Sequence, residues 1–567
     1  ASANRLYRLD EEKQLRFQLG YIHDRTTRQY GSEEIYYFAQ DTVHTATNRH
    51  DRLKTDCLNA EVNYEDNTVS RYTRENFSFA GTWKSGVSDI TGDNAIFQKI
   101  KNSQWELKNY FNQLYTKEKY TWGIRSYIRY THCPASLTVA HRNLPILFAD
   151  NMLIANCIYH RNELSSSDNI SENTYRTVIG QTHESILAEY EEMNTGNAYT
   201  DNALYGMRKI NGVNYQLTGG FCGELSSVKQ ENAYSAHSYS FYTVPRIEWE
   251  RNDFLFTAAT TVRWSHLPKQ SYSRFCVSPF FCFRYKFTPR WKMSLLGSLD
   301  ESEGGLKDIY PFRYREDYRT VVKHTGKVPV TVRQLYTCYL EYKNTIKEFF
   351  WTLSASYSHN RYNLITERNY KDGNFYLSSV ERNHSSHSYT LNTIGSKGIY
   401  DWNLKTSLEL TLARNEGKQL NEGIVQDYRY DYLCVEPKIV WAPSVFFEAE
   451  YKATVSCVGG GIGEDTRLDP LWEVAQRLTL SLEFHDTEFC LSGEHFYNDL
   501  SKNQHLNTWL ADVSLIHKAG KWRFAASAIN LFNKEQYRYT LYSAVQSYTS
   551  WIKLRPREFM VSVQYQW

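Results

Sequence analysis

Apolar and polar residues alternate one by one along most of this chain. That is the period of a β-strand with one dry face and one wet face. In "VFFEAEYKATVS", Val445, Phe447, Ala449, Tyr451, Ala453 and Val455 share one face, and Glu448, Glu450, Lys452, Thr454 and Ser456 share the other. "WNLKTSLELTL" repeats the pattern, with Trp402, Leu404, Leu408, Leu410 and Leu412 against Asn403, Lys405, Ser407 and Glu409. In "FCFRYKFTPRWKMSLLG", Phe281, Phe283, Tyr285 and Phe287 run into a turn at Thr288–Arg290, after which Trp291, Met293 and Leu295 resume the pattern. "RLTLSLEFHDTEFCLSG" predicts a similar hairpin turning at Asp486. "VPRIEWERNDFLF" and "EPKIVWAPSVFF" share the spacing P-x-I-x-W. Pro245 and Pro437 lie inside these apparent strands and predict bulges near a sheet rim.

The connections fall into two kinds. Short turns are predicted at His517–Lys521, His485–Thr487, Ala442–Ser444, Ser396–Tyr400, Asn344–Lys347 and Thr288–Arg290. Long polar stretches lie between them, at Asn533–Lys553, Phe496–His505, Cys457–Gln476, Arg414–Arg429, His359–His384 and Leu299–Val332. From Val213 onward the alternation predicts about 16 strands, and the first part of the chain adds about six to eight. The predicted fold is all-β: a closed antiparallel transmembrane β-barrel of about 22 strands, within about 20–24, with short periplasmic turns and long extracellular loops. It occupies residues 1–567 as one domain. A soluble propeller or solenoid requires a fixed repeat length, and these segments vary too much for that.

The chain ends on alternation. Phe559, Val561, Val563, Tyr565 and Trp567 form one face of "REFMVSVQYQW", and Met560, Ser562, Gln564 and Gln566 form the other. An open terminal strand invites edge pairing, and closure removes the edge. The apolar set is then expected to face lipid, with Trp567 at the inner interface.

Composition supports the barrel. There are 45 Tyr, 28 Phe and 14 Trp, the residues of strands and of membrane-interface girdles. The mean hydropathy is −0.60, as expected where every second residue meets water. No stretch approaches the ~18 apolar residues of a spanning helix. With 65 basic and 63 acidic residues, charge gives no argument for a nucleic-acid partner. Ten cysteines without a CxxC give no readable disulfide framework. Residue 1 is Ala with no signal peptide before it, so the chain is expected to be a mature or trimmed product.

One region resembles a known family. "AINLFNKEQYRYTLYSAVQSYTSWIKLRPREFMVSVQYQW" is similar to the closing region of TonB-dependent transporters, the outer-membrane receptors, and specifically of their Bacteroidota branch. The matching residues are Asn530, Leu531, Phe532, Asn533 and Tyr537, then Leu554, Arg555, Pro556, Arg557 and Glu558, then the aromatic end. "LRFQLGYIHD", "LNAEVNYEDN" and "VNYQLTGGFCGEL" also resemble the branch. The alternating C-terminal face resembles the signal by which outer-membrane barrels are recognised for assembly. The resemblance implies a 22-stranded barrel in the outer membrane of a Gram-negative bacterium. It also implies a plug domain driven through the TonB complex, and import of a siderophore, vitamin, peptide or glycan. Here alternation already runs by Leu15, so the plug is expected outside the given chain. Twenty-two tilted strands enclose a lumen roughly 45 Å across, which something must fill. A plug encoded upstream is the favoured answer, ahead of a separate chain or inward-folding loops.

No HExxH, GxSxG or Walker A motif occurs, so no enzyme activity and no cofactor are expected. "GGGIGED" reads as a flexible loop. His384 and His387 in "NHSSH", and "DESEGG" at Asp300–Gly305, read as solvated loops rather than metal sites. Arg125, Arg129, Lys405, Glu409, Glu448, Glu450 and Lys452 fall on the polar parity and are candidate lumen-facing residues. The Tyr-rich "DYRYDYLC" and "QYRYTLYS" suit either ligand stacking or an interface belt. The alternative function is a non-transport barrel that scaffolds an outer-membrane complex, holding a surface lipoprotein by its loops and its lipid-facing belt.

Overall fold

The computed structural model describes residues 2–37, 42–92, 96–118, 120–141, 173–179, 182–230, 233–316, 319–371, 373–463, 466–501, 504–542 and 546–565. Strands dominate. The first nine are β1 (Ser2–Arg8), β2 (Lys13–Tyr37), β3 (Thr42–Asn67), β4 (Arg71–Gly92), β5 (Ile96–Lys117), β6 (Tyr120–His141), β7 (Asn173–Ile179), β8 (Thr182–Ile210) and β9 (Val213–Lys229). Then come β10 (Ala233–Arg251), β11 (Phe254–Leu267), β12 (Tyr272–Lys286) and β13 (Trp291–Glu303). One short helix, α1 (Leu306–Ile309), and the small strands β14 (Tyr314–Arg315) and β15 (Thr320–Lys323) precede β16 (Val330–Asn344). The wall continues with β17 (Phe349–Lys371), β18 (Asn374–Ile399), β19 (Leu404–Asn421), β20 (Ile424–Ser444), β21 (Phe447–Ile462), β22 (Thr466–Phe484), β23 (Thr487–Ser501) and β24 (Gln504–Ala519). It ends with β25 (Trp522–Ile529), β26 (Gln536–Tyr542), β27 (Gln546–Lys553) and β28 (Glu558–Tyr565). All 28 belong to one sheet. No described helix is long and apolar enough to cross a membrane, which says nothing about crossing by strands.

Neighbours in sequence pair antiparallel along almost the whole sheet. The last hairpin returns to the first long strand: β27 pairs with β2 from Tyr30↔Ile552 to Tyr36↔Gln546. Lower down, β2 pairs with β1 and β28 pairs with β25. Among the described residues no ladder joins β28 to β1.

Hairpins at one end of the wall, the turn end, are tight. Asn211 and Gly212 both take positive φ, the backbone a two-residue turn requires. The predicted turns at 288–290, 344–347 and 485–487 lie in connections of the wall. The other end differs from expectation. Most of the long polar stretches are not loops but continuations of the hairpins. Arg414–Arg429 stays laddered to a turn at Glu422–Gly423, and β17 and β18 stay paired as far as Lys371↔Asn374. "GGGIG" begins in strand β21, and both Tyr-rich segments lie largely in β20 and β26. Apolar alternation fades there, while backbone pairing persists.

The two prolines make no bulge. Pro245 pairs in register with Leu217, and the β10–β11 ladder skips Val244–Pro245 and resumes unshifted. Pro437 does the same between β19 and β21. The ring simply removes one donor from one ladder. Register shifts occur elsewhere, between Trp441 and Ser444, Val458 and Gly460, Tyr362 and Leu364, and Asp499 and Ser501.

One face of the sheet is apolar and exposed. Phe281, Tyr336, Tyr389, Leu408, Leu412, Ile439 and Trp441 lie on it. Near the turn end the rings of Trp291, Tyr342 and Trp351 touch, as do Trp441 and Phe447. A second aromatic row holds Phe221, Phe241 and Trp264, then Tyr336, Tyr357 and Tyr389. Trp249 and Phe241 stand eight residues apart on β10. That is about 27 Å of strand, projecting to about 20 Å at a tilt near 40°, close to the apolar band of a membrane barrel.

Candidate functional site: the inner face and its mouth

The polar face is the concave one. Residues 304–329 leave the wall after β13, and their side chains reach polar-face residues on strands far apart in the order. Ile309, Tyr310 and Val328 pack with Val228, Tyr234, Ala236 and Leu267 of β9–β11. Ile309 and Tyr310 are only 1% and 2% exposed, and each fully buried side chain contributes about 1.5–3 kcal/mol. Further on, β15 pairs parallel with β18, and the Arg315 amide donates to Glu191 of β8 at 2.8 Å. Arg319 then meets Glu34 of β2, Nη2 to Oε2 at 2.5 Å, with the side chains 12% and 9% exposed. Arg319 also donates to Thr45 at 2.9 Å and lies over the Phe375 ring. The Tyr36 ring packs tilted against Phe375, centroids 4.3 Å apart, and its hydroxyl donates to Glu34. One connection thus spans the mouth from β9–β11 to β18 and β2. Burial, ahead of Glu316 and Asp308, pushes the Tyr314 phenol in this connection up to about 12. The sequence reading missed this piece. Its signal was the run Ile309–Tyr310–Pro311–Phe312, too apolar for a solvated loop.

Inside the wall, Arg125 and Arg129 of β6 join one polar cluster. Arg125, Ala203, Gly220 and Tyr242 stand in register across β6, β8, β9 and β10. The two small residues let the long side chains meet over them: Arg125 Nη2 lies 3.3 Å from the Tyr242 hydroxyl and 3.4 Å from Asp201. Tyr242 donates to Asp201 at 2.7 Å. A Cβ on Gly220 would collide with the Tyr242 ring. Arg129 lies over Tyr199 and donates to Asn197 at 3.3 Å, and Asn197 donates to Glu224 at 2.5 Å.

The other candidates stand apart from that cluster. Glu409 accepts from Asn392 at 2.8 Å, and Glu450 pairs with Lys438 at 3.0 Å. Lys405 and Glu448 share a cavity of about 950 Å³ at the turn end, and Lys452 is exposed on β21. His384 and His387 do not converge. His384 stacks on Tyr362, whereas His387 lies on the opposite face, 3.2 Å from His359. In Asp300–Gly305, Glu301 is held by Arg274 at 2.8 Å and Glu303 lies 3.8 Å from Arg263, so arginines take the place of a cation. Among the described residues no three His, Cys, Asp or Glu side chains group as a metal site. Nine described cysteines are free thiols.

The C-terminal motif has a mechanical role. Asn530 and Asn533 take positive φ, which Asn tolerates. Asn530 Nδ2 donates to the carbonyls of Lys534 and Arg555 at 2.9 and 2.8 Å, and its Oδ1 accepts from the Lys534 amide. Asn533 Oδ1 accepts from the Arg557 amide at 2.9 Å. The Leu531 amide donates to Ala511 at 2.9 Å. Phe532 is exposed, and Arg555 lies 3.9 Å from Glu558. Pro556 sits between the two clamped residues, in the break between β27 and β28. The motif pins the break between β25 and β26 to the break between β27 and β28. On β28, Phe559, Val561, Val563 and Tyr565 share one face, and Phe559 and Val561 are 76% and 77% exposed. Trp567 lies outside the described residues.

No family model matches the chain, and no curated protein does. Among solved structures it is similar to the outer membrane transporter YddB from Escherichia coli, at 10% identity over 97% of this chain and 75% of that one, with a TM-score of 0.48. It is similar to the copper transporter OprC at 8% identity, over 93% and 80%, with a TM-score of 0.44. The siderophore receptor PirA from Pseudomonas aeruginosa aligns at 10% identity over 94% and 81%, with a TM-score of 0.38. At these identities and TM-scores, the function has to be read from the chain's own residues.

Proposed function

We propose that the chain is a closed barrel of a bacterial outer membrane that imports a solute through its lumen, and that it is of the TonB-dependent type and the Bacteroidota branch. Twenty uninterrupted wall strands, with β25/β26 and β27/β28 taken as two interrupted ones and β1 as an extension beside β2, support a count of twenty-two. In this reading residues 1–567 are the barrel domain, and a plug domain elsewhere in the protein fills the lumen and links it to the TonB complex. The role is not enzymatic. The observation that carries the reading is the pairing of opposites in one wall: an apolar, aromatic-rimmed outer face, and a polar inner face whose mouth is spanned by 304–329.

The test is uptake by bacteria lacking the gene, with labelled ferric siderophores, cobalamin, oligopeptides and oligosaccharides, with and without a protonophore. Loss of one uptake on deletion, reproduced by the protonophore, is the expected result. Large steady conductance of the full-length protein in planar bilayers would refute it. Normal uptake of every solute, with a surface lipoprotein co-purifying in stoichiometric amount, would transfer the assignment to the scaffold.

A further inference from the structure

The glycine run read from the sequence as a flexible loop has a different role in the folded wall. Gly459, Gly460 and Gly461 sit in β21 beside Asp431, Tyr430 and Arg429 of β20. Gly460 belongs to a register shift against β22, and a Cβ there would collide with the Arg429 carbonyl. With no side chains at these positions, the outer face is hollowed. A cavity of about 660 Å³ opens over Ala355, Leu391, Leu412, Leu433 and Cys457. It adjoins a second, of about 530 Å³, which shares Arg429, Gly460 and Arg467 with the first.

Height along the wall divides this groove chemically. Its apolar floor is one cross-strand row, Leu391, Leu412, Leu433 and Cys457, on the face that carries the aliphatic belt. The next row toward the mouth is Tyr389, Arg414, Asp431 and Gly459, level with the upper aromatic girdle. Above it stand His387, Glu416, Arg429, Gly461 and Arg467. Arg414 Nε lies 2.6 Å from one oxygen of Asp431, and Arg429 Nε lies 3.0 Å from the other. The carboxylate thus holds two guanidinium groups at the groove's rim while they keep donors to spare, since each carries five N–H groups. Lys418 is paired with Asp427 at 2.8 Å.

We infer that this groove binds an outer-leaflet lipid with a phosphorylated headgroup, its acyl chain on the leucine row and its phosphate between Arg429 and Arg467. The inference rests on the barrel reading, because only in a membrane does this face meet lipid. Arginine suits a phosphate at that level: its fork makes paired charge-assisted hydrogen bonds, and anionic lipid attracts cations at the interface.

The test uses the full chain in detergent micelles, titrated with an acylated, phosphorylated glucosamine disaccharide and followed by native mass spectrometry. The same lipid with its phosphates removed and inorganic phosphate alone are the comparison probes. One retained lipid per chain is expected, bound roughly 30-fold more tightly than the dephosphorylated form. That preference should vanish in the Arg429→Gln/Arg467→Gln variant and persist in Arg284→Gln on the inner face. Equal binding of both lipids, or a preference untouched by the double substitution, overturns the inference. Full competition by inorganic phosphate at the lipid's own concentration also overturns it, since the site would then be for a free anion. Failure of the membrane reading looks different: the chain would stay folded and monomeric without detergent.

Discussion

The ion pair across the mouth gives the sharpest prediction. Arg319 and Glu34 are almost wholly buried and in contact at 2.5 Å. Glu34→Gln removes the carboxylate that faces the buried guanidinium, which keeps its contacts with Thr45, Phe375 and Tyr36. Removing one partner of a buried ion pair costs up to about 3–5 kcal/mol, a rise of roughly 150- to 5,000-fold in the open population of the connection. Amide exchange reads that population. The Phe375 amide donates to the Arg319 carbonyl at 2.7 Å, and the β15 amides lie in the short parallel ladder with β18. Exchange across 319–323 and 374–378 should accelerate by at least two orders of magnitude in Glu34→Gln, while the β10–β11 ladder stays protected. Glu34→Leu combined with Arg319→Met removes both charges and should exchange much more slowly than the single variant. Unchanged exchange in Glu34→Gln, or a double variant as open as the single one, would refute the reasoning.

Other expectations follow from the wall. Leu408→Arg, in the middle of the outer belt, should destabilise the protein by about 2–4 kcal/mol in lipid, and Ser407→Arg on the inner face by much less; urea titration of refolding into vesicles measures both. Gly220→Val should displace Tyr242 from Asp201, and the cost should largely disappear in a Tyr242→Ala background, as a double-mutant cycle would show. Asn530→Ala removes hydrogen bonds to Lys534 and Arg555 and should cost about 1–3 kcal/mol, slowing the appearance of the heat-modifiable folded band on a gel. Tyr314 has its folded value raised from 10.0 to about 12. Its stabilisation of the mouth is therefore complete below pH 10 and is lost as pH climbs toward 12, which tyrosinate absorbance with amide exchange would follow.

Alternation was legible in the sequence wherever one face of the wall is apolar and the other polar. It located hairpins such as 281–295 and 478–491, and it put Arg125 and Arg129 on the polar side. It failed above the girdle. Between Arg414 and Arg429 the apolar alternation stops, yet the strands remain laddered to Asn421↔Ile424, and Gln419, Leu420 and Asn421 are buried. Hydrophobic period reports solvent, not backbone pairing. The prolines misled for a related reason, since a missing N–H affects only one of a strand's two ladders. The mouth was out of reach because Glu34 and Arg319 lie far apart in the chain, and nothing local marks either as half of a pair. The glycine run was noticed and misassigned, because glycine signals freedom in a loop and close approach in a sheet with the same letter.

The paired overhang of β17 and β18 changes what the cell exterior meets. From Tyr357 in the girdle to Lys371 at the tip run fourteen residues of paired strand, broken by one register shift between Tyr362 and Leu364, about 45 Å of strand. In the proposed barrel this hairpin rises above the lipid surface as paired strands rather than as a loose loop. In that barrel, an antibody or a protease approaching from outside finds hydrogen-bonded strands with little slack to grip, and a solute enters past them.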